Sequence, residues 1–106
     1  MTTFDEREQA FENKFKHDEE LRFKVYTRRA KLLGLWAAHQ MGLSQVEADS
    51  YARQVVSVDF EEAGHDDIVR KVHGDLSAKG VNVSKHKVER EAERLLSEAK
   101  TQIMTA

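Results

Sequence analysis

The 106-residue sequence contains no proline, no cysteine and only five glycines. Without cysteine there is no disulfide, no thiolate metal site and no cysteine nucleophile. The absence fits a reducing compartment. Without proline no helix is obliged to kink, and few glycines leave few places for chain reversal. No apolar run approaches the ~20 residues of a membrane span. The N-terminus, MTTFDEREQ, is too acidic and polar for a signal peptide. The expectation is a cytoplasmic protein with no direct membrane insertion. Phosphate cradles are also missing: there is no GxxxxGK[ST] and no GxGxxG.

What is present is charge and helical periodicity. Charged residues make up 34% of the chain, yet the net charge is only −2. The signs come in blocks. Residues 1–20 carry seven acids against three bases, and residues 21–42 carry five bases and no acid. Residues 43–67 then carry seven acids against one base, and residues 68–106 eight bases against five acids. Such alternation favours basic helices lying beside acidic ones. It does not make the single strongly basic face of a nucleic-acid binder, so no nucleic acid is expected as a partner.

The organising stretch is Leu21 to Met41, which holds the only tryptophan. At ~100° per residue, Leu21, Val25, Leu32, Leu35 and Trp36 share one face. Phe23, Ala30, Ala37 and Met41 fall on nearly the opposite one. Two apolar stripes describe an enclosed helix, so this segment is expected at the centre of a bundle. Stop and start signals divide the rest. Asp18 caps the central helix and Gly42 ends it. Ser44 and Glu47 form a capping box for a second helix that Gly64 ends. Asp66 or Asp67 caps a third, closed by Gly80, and Ser84 caps the last. The expected core faces are Ala48, Tyr51, Val55 and Val58, then Ile68, Val69, Val72 and Leu76, then Val88, Ala92, Leu95, Leu96, Ala99 and Ile103. The reading is all-α: a four-helix bundle over residues 19–106, with helices at about 19–41, 45–63, 67–79 and 85–104.

Residues 1–18 form a separate arm. Thr3 and Glu6 have the form of a capping box. Phe4, Phe11 and Phe15 fall within ~40° of one another on a helical wheel. Three aromatics among this many charges bury too little to fix the segment alone. The arm is therefore read as flexible when free. Two readings stand: it folds back on the bundle, or its phenylalanine face docks in a groove of another protein.

Catalytic and metal chemistry find little foothold. The five histidines show no metal-ligand spacing, and His65-Asp66-Asp67 reads as helix-start chemistry rather than a metal site. No serine sits in a nucleophile elbow. No catalytic residue, no metal and no enzyme activity is assigned, and no cofactor is required. The basic run Arg22, Lys24, Arg28, Arg29 and Lys31 has two readings. The groups pair with acids such as Asp49, Asp59 and Glu62, or they form an anion site, a nucleotide phosphate near Arg28 or Arg29 with a base stacked on Trp36 or Tyr26.

A family resemblance extends these readings. Phe4 to Glu8, Ala10-Phe11-Glu12, Lys14-Phe15, His17 to Lys24, Arg28-Arg29 and Lys31 to Ala38 together resemble the zeta subunit family, the ATPase inhibitors of alphaproteobacterial rotary (F-type) ATP synthases. Asp59 to Gly64 is similar to that family too. Tyr26-Thr27 and His39-Gln40 depart from it. The resemblance implies a four-helix bundle whose flexible N-terminal segment blocks ATP hydrolysis by inserting into a catalytic interface of the synthase head. The implied partners are the alpha, beta and gamma subunits, and the implied location is peripheral to the inner membrane. By motif, the inhibitory residues are Phe4, Asp5, Arg7, Glu8, Phe11, Lys14 and Phe15. The resemblance also implies ATP or ADP as a regulatory ligand. Chemistry alone selects Arg22, Arg28, Arg29 and Trp36 for it, and a nucleotide sensor is the alternative function.

Overall fold

The computed structural model describes residues 3–61 and 65–105, apart from the side chains of Thr3, Phe4 and Glu61. The Gly64 stop, Glu62 as a pairing acid, and the Thr3 and Phe4 side chains all lie outside the described residues. Five helices make up the described fold, with no strand among them: α1 (Thr3–His17), α2 (Glu19–Gln40), α3 (Gln45–Glu61), α4 (His65–Ala78) and α5 (Lys85–Thr105). The expected four helices correspond to α2–α5. The N-terminal segment forms a fifth.

Local cap chemistry sets the boundaries. Asp18 adopts an extended conformation, and its side chain accepts the Leu21 N–H at 3.0 Å. That single residue separates α1 from α2. At the end of α2, Gly42 takes φ +70°. Its N–H then reaches the His39 carbonyl and the Leu43 N–H reaches the Ala38 carbonyl, the paired bonds of a Schellman motif. Gly80, at φ +77°, repeats the arrangement with Ser77 and Leu76. Ser44 and Glu47 cap α3 reciprocally: the Ser44 N–H donates to Glu47 Oε1, and Ser44 Oγ accepts the Glu47 N–H. Ser84 Oγ likewise accepts the Lys87 N–H at 3.0 Å. The α4 start differs from expectation. The helix already includes His65, so Asp66 and Asp67 occupy its first turn rather than the cap. There they face the positive end of the helix dipole, and Asp67 also pairs with Arg70 at 3.2 Å.

The core lies between α2, α3, α4 and α5. Leu33, Val25, Val55, Ile68, Val69, Val72, Leu76 and Val88 are fully buried. All four expected residues of α4 are among them. On α2, burial takes Val25 from one expected stripe and Ala30 and Ala37 from the other, and adds Leu33, Gly34 and Ala38 to complete the buried band. Leu21, Leu32, Leu35 and Trp36 are only half-buried, and Phe23 is 54% exposed. The physical reason is size. Small residues on this band let α3 come close: a Cβ on Gly34 would sit 2.7 Å from the Ala52 Cα. On α5, Leu96 and Ile103 are half-buried, while Glu91 is buried beside its partner Arg94.

One polar contact ties α3 to α4. The Tyr51 hydroxyl donates to Asp75 Oδ2 at 2.8 Å, and Lys71 Nζ reaches the same oxygen at 3.1 Å. Burial and the neighbouring carboxylate push the Tyr51 phenol well above its ordinary pKa. Among the described residues, no helix is long and apolar enough to cross a membrane.

Candidate functional site

The first candidate is α1. Its outward residues Asp5, Glu6, Arg7, Glu8 and Lys14 are exposed. Its apolar side carries Phe11 and Phe15, whose rings stack at 6.5 Å and are half-buried. The contacts described next come from its C-terminal half, and Glu8 borders a small hollow beside α5. Phe15 packs edge-on against Tyr26 of α2, with centroids 5.8 Å apart. Lys100 of α5 lies 4.5 Å over the Phe15 ring and pairs with Glu12 at 3.2 Å. Arg22 closes the joint: its guanidinium donates to the Phe15 and Lys16 carbonyls at 3.2 and 2.7 Å. Those carbonyls belong to the last turn of α1, which lacks helical partners of its own. Lys14 meets Asp18 at 4.0 Å.

Of the expected anion-site residues, Arg29 and Tyr26 are brought together, whereas Arg22, Arg28 and Trp36 are not. Arg22 caps α1. Arg28 donates to Gln102 Oε1 on α5 at 2.9 Å. Trp36 rests against the core cluster. Arg29 lines a sizeable cavity, of about 650 Å³. The aromatic walls are Phe23, Tyr26 and Phe60, and Leu96 adds an aliphatic one. Phe23 and Phe60 stack at 5.3 Å, although each is more than half exposed. The polar lining is Arg29, Asp59 and His65.

Arg29 is only 4% exposed. Its plane lies 5.0 Å from the Tyr26 centroid, and its Nη1 donates to His65 Nδ1 at 3.1 Å. A guanidinium only donates, so Nδ1 must accept, and the His65 proton sits on Nε2. Its Nε has no hydrogen-bond partner among the described residues. Burial pulls the Arg29 pKa below its ordinary value, and the Asp59 carboxylate partly offsets this. Burial raises Asp59 in turn, with Arg29 opposing. Of the expected acids, Asp59 thus shares the field of the basic run, whereas Asp49 bonds Gln45 on its own helix. Among the described residues, no three histidines or carboxylates converge as a metal site.

Asp59 was expected as a partner of the basic run, whereas Phe23, Phe60, His65, Leu96 and Lys100 were not expected as site residues. Phe60 carried a readable signal, an aromatic set in an acidic run at the end of a helix.

A family model described as ATPase inhibitor subunit zeta matches residues 1–102, nearly the whole chain. The chain belongs to the ATPase inhibitor subunit zeta family. Membership makes it a regulatory inhibitor subunit that associates with an ATP synthase. A structure solved by NMR in solution is 47% identical, covers 80% of this chain and 96% of its own, and superposes with a TM-score of 0.70. No curated protein matches the chain.

Proposed function

We propose that α1 is the effector of inhibition: it leaves the bundle, enters an interface between catalytic subunits of the F-type synthase head, and blocks ATP hydrolysis. The observation that carries this reading is the joint at Asp18. One non-helical residue separates a charge-rich amphipathic helix from a well-packed body. Several of the described contacts holding α1 are partly solvated. The Glu12–Lys100 pair has side-chain exposures of 42% and 24%, a geometry in which an ion pair contributes ~0–1 kcal/mol. Releasing α1 breaks this pair, the Arg22 hydrogen bonds and the Phe15–Tyr26 contact, while Phe11 and Phe15, half-buried here, gain a full apolar environment once wedged in a cleft. Ordering a released segment at binding moderates affinity and keeps the brake reversible.

In this mechanism the bundle acts as a plug that sets how far α1 enters, between alpha and beta subunits and toward gamma. Rotation in the hydrolytic direction tightens the wedged interface, and rotation in the synthetic direction expels the helix. The protein sits at the cytoplasmic side, peripheral to the membrane, and performs no catalysis itself. The test is deletion of residues 1–17. Inhibition of hydrolysis is expected to vanish, while the melting transition of α2–α5 is nearly retained, because none of the described residues lost is fully buried. Full inhibition by the truncated chain would refute the proposal. The double variant F11A/F15A is expected to weaken inhibition by ~1–3 kcal/mol per anchor.

The nucleotide-sensor alternative rests on one observation, Arg29 beside an aromatic-walled cavity. ADP titration monitored by amide shifts tests it, with no shift at millimolar nucleotide as the negative result.

A further inference from the structure

We propose that the structure holds α1 in a closed position that withholds the inhibitory helix, and that Lys100 of α5 is the latch. The proposal rests on the reading of α1 as the effector of inhibition. On α1 the half-buried residues are Phe11, Glu12 and Phe15, whereas residues 5–10 are exposed. The covered side is therefore the phenylalanine side, the one that insertion would need. Lys100 meets it twice. Its Nζ lies 3.2 and 3.5 Å from the two Glu12 carboxylate oxygens and 4.5 Å over the Phe15 ring. Tyr26 meets the same ring nearly at right angles. One apolar side cannot lie on the bundle and in a cleft at once, so the two positions compete.

Charge decides which residue controls the closure. Glu8 and Glu12 of α1 line a small hollow to which α5 brings one charged residue, Lys100. Arg22 also holds α1, but it donates to main-chain carbonyls beside the joint and does not read the side chains. A partly exposed ion pair and a cation over a ring each shift an equilibrium by up to about fivefold. Such a latch favours the closed form and still yields to a partner. The apparent affinity for the synthase is the intrinsic affinity scaled by the open fraction. Weakening the latch therefore raises potency, the opposite sign to truncating the phenylalanines.

The test compares full-length variants in two assays: ATP hydrolysis by the synthase at increasing inhibitor, and backbone amide exchange of the free chain. Lys100→Glu sets a third acid against Glu8 and Glu12. It is expected to lower the half-inhibiting concentration by about three- to tenfold and to speed exchange along residues 5–17. Lys100→Arg keeps the charge and the ring contact, and is expected to match the wild type in both assays. Should Lys100→Glu fail to fold, Glu12→Gln breaks the pair from α1 and is expected to act in the same direction, by about two- to fivefold. Deletion of residues 1–17 separates the two readings. If truncation abolishes inhibition but Lys100→Glu inhibits no better than the wild type, the latch is wrong and the inhibitory helix stands. If truncation leaves inhibition intact, both readings fall. Unchanged exchange along residues 5–17 in Lys100→Glu would also overturn the latch.

Discussion

Replacing Gly34 with alanine is predicted to destabilise the bundle, although the same exchange ordinarily strengthens a helix by ~1 kcal/mol. The new methyl would sit 2.7 Å from the Ala52 Cα, 3.2 Å from Val55 Cγ2 and 3.3 Å from the Ala52 Cβ. The nearest of these is backbone, so no rotamer change relieves it. Reaching ordinary contact at 3.4 Å requires α2 and α3 to part by roughly 0.7 Å. A gap of that size forfeits about a quarter to a half of each van der Waals contact it opens, and α2 buries its central band here. Overpacking of this kind costs ~1–3 kcal/mol and occasionally more. After the propensity gain, a net loss of up to ~2 kcal/mol remains, a fall in Tm of as much as roughly 15 °C for a domain this size. Thermal melting by circular dichroism measures it. Gly74 supplies the opposite case. It lies exposed in α4, and a methyl added there would meet nothing within 4 Å, so Gly74→Ala is expected to stabilise by ~0.5–1 kcal/mol. Ala52→Gly is not expected to rescue Gly34→Ala, because the backbone at position 52 still stands in the way of the new methyl. If Gly34→Ala melted at or above the wild-type temperature, the close approach of α2 and α3 would be wrong.

Other substitutions test other links. Tyr51→Phe is expected to cost ~1 kcal/mol at neutral pH, read by urea unfolding, since Asp75 keeps Lys71 but loses the phenol. The alkaline limb should change as well. The folded chain holds the Tyr51 proton that the unfolded chain releases near pH 10, so stability falls as pH rises above ~10. A Tyr51→Phe chain should lose less over that range. Asp18→Ala is expected to cost ~1 kcal/mol through the lost α2 cap and to raise amide exchange at Leu21. Lys100→Ala removes both the Glu12 pair and the cation over Phe15, and is expected to increase protease cutting within α1 while leaving the melting of α2–α5 unchanged.

Cap chemistry was legible in the sequence because it is local. Ser44 with Glu47, Gly42, Gly80 and Ser84 each act within a few residues, and each does what its residue type suggests. The α4 stripe was legible for a similar reason: Ile68, Val69, Val72 and Leu76 are large, regularly spaced and all buried. The orientation of α2 was legible only in part. Val25, Ala30 and Ala37 lie on the expected stripes and are buried, whereas the large Leu32, Leu35 and Trp36 are half-buried. The band is completed by Leu33, Gly34 and Ala38, and the value of its small residues is the closeness they permit. The Arg29 cavity was only partly readable. Arg29 was named, but Asp59 and His65 come from other helices, His65 lying 36 residues away. No spacing rule links positions that only the tertiary fold makes neighbours.

The Tyr26 ring serves two masters. Phe15 from α1 meets it nearly at right angles, and its face receives Arg29 and borders the cavity. A single aromatic thus joins the seat of α1 to the wall of the hollow beside it. Loss of that ring is expected to loosen the one and open the other together.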